Sequence, residues 1–298
     1  MTLSAAIGRY PHTESLFSNP DLRIEPFPVI SRAFAPMVRT ECFDISEMAL
    51  ATFLMARAAG STLVLLPVAM AARFQTGGML RRLDDRFGPG DLAGRRIGIR
   101  AYSQTTGLWL RGVLQEEYGL RPDQTRWITF EDAHVASYSD PPWAERAPAG
   151  SDMLTMLREG MLDAAIFGSD IPSASDLATV FPDPEAAGRA FLRRHGLMPV
   201  NHMIVVTAEV ARRPGVVQSL LDRFRVADNP FPFSRAVLDS AISLALRYAR
   251  EQQLINRSLS LEEAWTGLPT ATNMWTCQLT LRTHGRDYDG AENAIGSR

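Results

Sequence analysis

The sequence contains no lysine: every one of its 31 Lys+Arg residues is arginine. No Schiff base can form on a side chain of this protein, which excludes pyridoxal-dependent enzymes and lysine aldolases. A Walker A loop is excluded as well, since its lysine must reach the phosphates. Cysteine is nearly absent. Cys42 and Cys277 stand far apart and in no CxxC, so a thiol–metal site or a disulfide framework lacks material, and two unpaired structural thiols are expected. HExxH, GxSxG and GxGxxG are all missing, which leaves zincin, serine-hydrolase and dinucleotide-binding readings without support. No run approaches the about 18 apolar residues of a membrane span. The first nine residues have no basic segment ahead of an apolar one, so no signal peptide is expected and the expected location is cytoplasmic. Charge of neither sign is in excess, with a net of −2, and a nucleic-acid partner is not expected.

What is there reads as a globular α/β chain. Hydrophobic residues make up 46% and charged residues 21% of 298 residues, enough for two lobes at about 150 residues each. Leu3–Gly8 and Leu22–Ile30 read as extended. Phe43–Ser46 reads as a short strand running into a helix over Glu47–Ala58, and Thr62–Val68 as a buried parallel strand. Gly88–Gly94 looks like a boundary. Beyond it come a strand at Arg96–Ile99, a helix over Thr105–Tyr118, a strand at Trp127–Phe130 and a Pro-rich loop from Asp140 to Pro148. A helix capped by Ser151 ends at Gly160, ahead of strands at Ala164–Phe167 and Met203–Thr207. Helices at Pro214–Phe224 and Ser234–Gln252 follow, and the tail from Thr270 has little periodicity. The β-α-β rhythm implies parallel sheets with a cleft, and ligands of such sheets sit just after the strands.

Several residues there carry candidate chemistry, each beside a plainer reading. Tyr102-Ser103-Gln104-Thr105-Thr106 opens a helix, where free N–H groups could hold a carboxylate or the hydroxyls could simply cap. Arg111 and Trp109 follow on that helix, as an anion fork and an aromatic wall, or as a solvated arginine and a core tryptophan. Ser46-Glu47 at a strand-to-helix junction could supply a general acid or merely favour the helix dipole. His12 and His202 lie beside strands. Glu131-x-x-His134 stands alone, so no metal site is expected.

Phe43–Met48, Leu92–Ile99 and the run Tyr102-x-x-Thr105-x-x-x-Trp109-x-Arg111-Gly112-x-Leu114-x-x-Glu117-Tyr118-Gly119 resemble the 4,5-dihydroxyphthalate decarboxylase family. Phe181-Pro182-Asp183, Gly196-x-x-Pro199-x-x-His202 and Arg247-Tyr248-Ala249-x-Glu251-Gln252 continue the likeness, which spans most of residues 1–265. Phe74-Gln75-Thr76-Gly77 departs from it, where the family pattern has Phe-Arg-His-Ser, and Ala101 stands in place of a glutamate. The resemblance implies a two-lobed type 2 periplasmic-binding-protein-like fold with a ligand cleft between lobes. Residues 1–94 and 201–298 would form lobe one and 95–200 lobe two. It implies decarboxylation of a hydroxylated aromatic acid, 4,5-dihydroxyphthalate or a close relative, without cofactor or metal. Glu47 or His202 would deliver the proton, and the other, or His12, would stabilise the phenolate. Arg111, Thr105 and Thr106 would hold the carboxylates, helped by Arg73 or Arg9, with Tyr10, Thr13, Ser46, Tyr102 and Trp109 around the ligand. The expected partner is a small aromatic carboxylate, and the apolar C-terminal helices leave room for a homo-oligomer. A solute-binding protein for an aromatic acid, or a same-fold enzyme acting on another cyclic carboxylate, stays open.

Overall fold

A computed structural model describes residues 2–226 and 229–269. The chain opens with β1 (Leu3–Ala6), a 3-10 segment at Pro11–Ser18 and β2 (Leu22–Ile24). α1 (Phe34–Thr40), β3 (Ile45–Ala49), α2 (Leu50–Ala58) and β4 (Val64–Ala72) follow. Next come β5 (Met79–Arg82), β6 (Arg96–Ile99), α3 (Thr105–Tyr118), β7 (Arg126–Thr129) and β8 (Ala144–Arg146). α4 (Met153–Arg158), β9 (Ala164–Ile166), β10 (Leu177–Thr179) and α5 (Pro184–His195) complete the middle of the chain. It then runs through β11 (Val200–Val206), α6 (Ala208–Ala211), α7 (Pro214–Val226), α8 (Arg235–Glu251) and α9 (Leu261–Ala264).

Among the described residues these strands form two sheets, ordered β2-β1-β3-β11-β4 and β10-β5-β9-β6-β7-β8, each the centre of one α/β lobe. The β1, β2 and β3 pairings are parallel, while β11 runs antiparallel to both β3 and β4. That reversal follows from its route: β11 enters the first sheet from the other lobe, against the direction of the strands that arrived by helical crossovers. The first crossing comes earlier than residue 95, because β5 already pairs with β9 and β10 in the second sheet. Gly88–Gly94, read as a boundary from its Gly/Pro content, holds a 3-10 turn at Pro89–Asp91 inside the second lobe. The Pro-rich stretch contains the edge strand β8, and Asp152, not Ser151, caps α4 by accepting the Thr155 N–H at 2.8 Å.

The two crossings lie side by side. Arg73 N–H donates to the Pro199 carbonyl at 3.0 Å. The amides of Gln75 and Asn201, both buried, pair reciprocally: Gln75 Nε2 donates to Asn201 Oδ1 at 2.6 Å and Asn201 Nδ2 to Gln75 Oε1 at 3.3 Å. Thus Gln75, in the segment that departs from the family pattern, ties the outgoing chain to the returning one.

Behind the crossings α3 packs on α8. Trp109 is fully buried, donates to the Val200 carbonyl at 2.9 Å and meets the Phe191 and Tyr248 rings edge-on. Gly112 makes this approach possible, since a Cβ there would lie 2.1 Å from the Tyr248 ring. Alanine favours a helix over glycine by about 1 kcal/mol, but a buried ring has nowhere to retreat. Gly112→Ala should therefore destabilise the fold, by about 1–3 kcal/mol as for other overpacked cores. A denaturant titration with an unchanged or raised midpoint would refute that packing.

Candidate active site

Strand register gathers the polar residues of the first lobe at the carboxyl ends of β1 and β3. Ala6 pairs with Ser46, and His202, early in β11, pairs with Ala49. Glu47 lies within β3, not in a first helical turn, because the β3 backbone stays paired with β11 through Ala49 and α2 starts at Leu50. Its side chain is fully buried, and three donors meet it. Gly8 N–H donates to Oε2 at 3.0 Å; the Tyr10 hydroxyl and His202 Nδ1 lie 2.9 and 2.6 Å from Oε1. A carboxylate taken out of water needs such partners to keep its charge. Gly8 is needed twice over: its N–H is one donor, and a Cβ would sit 2.4 Å from the Tyr10 ring folded back upon it.

Thr13 holds the loop that presents Tyr10. Its hydroxyl donates to the Gly8 carbonyl at 2.7 Å and accepts the Tyr10 N–H at 2.8 Å. The Tyr10 hydroxyl is held protonated by burial and by the neighbouring Glu47 charge. His12 stacks on the Tyr10 ring at 5.2 Å with 10° between planes, and its Nε2 is buried without a hydrogen-bond partner. Burial pushes the His12 pKa down, against the opposing pull of Glu47.

Glu47 has no exposed surface, whereas the His202 side chain is 25% exposed. With Nδ1 at Glu47, Nε2 is the imidazole nitrogen that does not meet the carboxylate. The ring of Phe34 touches His202 edge-on at 5.2 Å and, at 5.6 Å, a second imidazole, His134. His134 belongs to the other lobe, in the loop after β7. It was singled out in the sequence only as half of an isolated Glu-x-x-His. The rule that ligands gather just after strands would have found it.

The rest of the expected set divides. Tyr10, Thr13, Glu47, His12 and His202 come together. Ser46 is buried beside them with its hydroxyl on the Glu47 carbonyl at 2.7 Å. Arg9 points elsewhere, paired with Glu14 in the open. Arg73 sits at the lobe crossing. Thr105 takes the Ala51 N–H on its hydroxyl at 3.1 Å, linking the first turns of α2 and α3, and Thr106 is buried near Gly78.

Arg111, expected as a carboxylate fork, is buried among protein groups. Nε donates to Gln252 Oε1 and Nη2 to the Tyr102 carbonyl, each at 2.7 Å, and the guanidinium lies 4.0 Å from the Tyr102 ring centroid. Tyr102 in turn donates to the Gln252 carbonyl and accepts from Trp143. Tyr102, Trp109 and Arg111 thus form a strut between α3 and the end of α8: Gln252 and the Tyr102 carbonyl hold two of the guanidinium nitrogens, and Nη1 is buried without a hydrogen-bond partner.

Among the described residues no group of three or more His, Cys, Asp or Glu side chains is placed to hold a metal ion, and no helix is long and apolar enough to cross a membrane. Cys42 is exposed with a free thiol; Cys277 and the tail from Thr270 lie outside the described residues. A cavity of about 500 Å³ between Arg57, Val64 and Ala208 lies at the opposite end of the first sheet and contains none of the candidate residues.

A 4,5-dihydroxyphthalate decarboxylase of Comamonas testosteroni is 27% identical over 297 residues, covering 89% of this chain and 86% of that protein. One of Pseudomonas putida is 27% identical over 217 residues, covering 65% of this chain and 82% of that protein. The chain resembles the 4,5-dihydroxyphthalate decarboxylases. No family model matches it. Among solved structures, the periplasmic aliphatic sulphonate binding protein SsuA of Escherichia coli superposes with a TM-score of 0.50 at 14% identity, over 87% of this chain and 79% of its own. A DSZB variant in complex with biphenyl-2-sulfinic acid reaches 0.55 at 15% identity, over 89% and 96%. These likenesses show the fold: two lobes of the type 2 periplasmic-binding-protein kind, with the cleft between them.

Arg111→Met should act on stability rather than on ligand affinity. Stranding the buried Gln252 and Tyr102 oxygens costs about 1–3 kcal/mol each, to be read as a lowered denaturation midpoint. A variant of unchanged stability but weakened binding of an aromatic carboxylate would return Arg111 to the site.

Proposed function

We propose that this chain is a decarboxylase of a hydroxylated aromatic carboxylic acid, with 4,5-dihydroxyphthalate or a close relative as its substrate. The observation that carries the reading is the Glu47–His202 pair at 2.6 Å, buried at the carboxylate and open at the imidazole. The likeness to two proteins named for this reaction supports it.

The reaction needs a proton delivered to carbon. A hydroxyl para to the departing carboxylate ionises, giving its proton to water, and makes the carboxylate-bearing ring carbon basic. The protonated His202 imidazole gives its Nε2 proton to that carbon, which becomes tetrahedral. The C–C bond to the carboxylate then breaks, CO₂ leaves, and the electron pair restores the aromatic ring; one proton has replaced one CO₂. Glu47 holds the imidazole in orientation and balances its charge before transfer, a positioning role in which Tyr10 and the Gly8 N–H fix the carboxylate itself. His12, whose charged form burial disfavours, bonds the Met70 backbone through one nitrogen and leaves Nε2 unpartnered, so Nε2 is placed to accept the hydrogen bond of the ring hydroxyl that ionises. This chemistry asks for no metal or cofactor, and Schiff-base catalysis through lysine is closed to a chain that has none.

The test is CO₂ release and product identity from 4,5-dihydroxyphthalate and a panel of hydroxybenzoates, with chelator present. Formation of 3,4-dihydroxybenzoate is expected. Glu47→Gln and His202→Gln should each lower kcat by about 10²–10⁴, the range of a positioned general acid, while still binding 3,4-dihydroxybenzoate. Ligand binding without turnover across the panel would replace the enzyme with a binding protein. Near-normal turnover in His202→Gln would move the proton donor elsewhere.

A further inference from the structure

With Arg111 committed to the core, the cleft still needs a cation for the substrate's carboxylates. We propose that His134 and Arg100, both from the second lobe, form the carboxylate-binding end of the cleft, opposite the Glu47–His202 pair of the first. The assignment rests on the decarboxylase reading for its substrate and on the lobe contacts for its residues.

Arg100 follows β6 directly, and its carbonyl accepts the N–H groups of Phe130 and Glu131 at 2.9 and 2.7 Å, which anchors the loop that carries His134. That loop reaches the first lobe. The Ala133 and His134 carbonyls accept Arg39 of α1 at 3.1 and 2.9 Å, and His134 Nδ1 lies 2.9 Å from Thr52 Oγ1 of α2. Arg100 Nη1 donates to Ser31 Oγ at 3.4 Å, one turn before the Phe34 ring that meets both His134 and His202.

The charges around His134 are cationic from every side: Arg39 on α1, Arg100 after β6 and His202 on β11. Burial pushes its pKa down to about 4, and the Arg100, Arg39 and His202 charges add to the shift. The acids near the loop do not answer them. Asp132 is paired with Arg146, and Glu131, 57% exposed, stands 3.5 Å from Arg100 Nε, which is buried and makes no hydrogen bond. The guanidinium charges of Arg100 and Arg39 that oppose a proton on His134 favour an anion beside it. A planar carboxylate can replace the loose Glu131 contact on the Arg100 fork. With Thr52 donating to Nδ1, the neutral His134 offers an Nε2–H to the same group. Arg39, held by two carbonyls, contributes field rather than contact. A carboxylate seated there spans the lobes and lies against the ring that borders His202.

The decisive measurement does not need turnover. The full chain, with its histidines isotopically labelled, is titrated by NMR with and without 3,4-dihydroxybenzoate, and with phthalate as a second probe. His134→Gln assigns the signal. In the free protein His134 should stay neutral down to about pH 4, and either probe should raise its pKa, because an added anion favours the protonated ring. Arg100→Gln should bind both probes about ten- to hundredfold more weakly, with Arg100→Lys between it and the wild type. A His134 signal unmoved by saturating probe, or an unchanged dissociation constant in Arg100→Gln, overturns the assignment. If the wild-type chain released no CO₂, the decarboxylase reading would fail while the titration still decided whether these two residues bind a carboxylate.

Discussion

Much of the first lobe is organised around one buried charge. The Glu47 carboxylate has no contact with solvent, and its three donors come from residues 8, 10 and 202. Burying such a group alone would cost several kcal/mol or force it to take a proton. The partners therefore have to arrive together. β1 must end beside β3 to aim the Gly8 N–H, the loop after it must turn back to bring Tyr10, and β11 must pair with β3 in the register that places His202 opposite Ala49. A shift of β11 by one residue would turn His202 to the other face of the sheet.

That dependence links the site to the path of the chain. β11 belongs to the first sheet only after the chain has left for the second lobe and returned, so the imidazole lies 155 positions from its carboxylate. The return is fixed one residue earlier, where Asn201 pairs with Gln75 on the outgoing segment. Neighbouring strand residues point to opposite faces. Asn201 is thereby locked into the crossing and His202 is delivered to the cleft. The step from Asn201 to His202 therefore ties the crossing to the candidate site.

The architecture was legible in the sequence because its signals are local. The period of α3, Thr105–Tyr118, appears in the placing of Leu110, Val113, Leu114 and Tyr118, and the apolar run of β4 announces a buried strand. The site was legible in part. Glu47, His202 and His12 stand next to strands, where ligands of such sheets gather. Two signals misled. Gly88-Pro89-Gly90 reads as a boundary by composition, but a tight turn inside a lobe uses the same residues. Arg111 lies on a segment that carries the family likeness, and in the structure that segment builds a demanding core: a buried guanidinium, two aromatic rings and the Gln252 amide fit together. Only long-range contacts, invisible to spacing, distinguish a strut from a ligand clamp. His134 was passed over for the converse reason, since its partners Thr52, Phe34 and Arg39 all lie in the other lobe.

The lack of lysine sharpens the chemistry that remains. Every strong cation here is a guanidinium, which holds its proton at any working pH and can bind or repel but not transfer it. Proton transfer near neutrality therefore falls to histidine. Three imidazoles crowd the cleft, and their surroundings set them apart. His12 is stacked on Tyr10, and burial disfavours its charged form. His134 is flanked by Arg39 and Arg100, which disfavour it further. Of the three, His202 is the one with a carboxylate at hydrogen-bond distance. On the proposed reading the cleft has a direction: His202, backed by Glu47, meets the ring from the first lobe, and Arg100 and His134 hold the anion from the second.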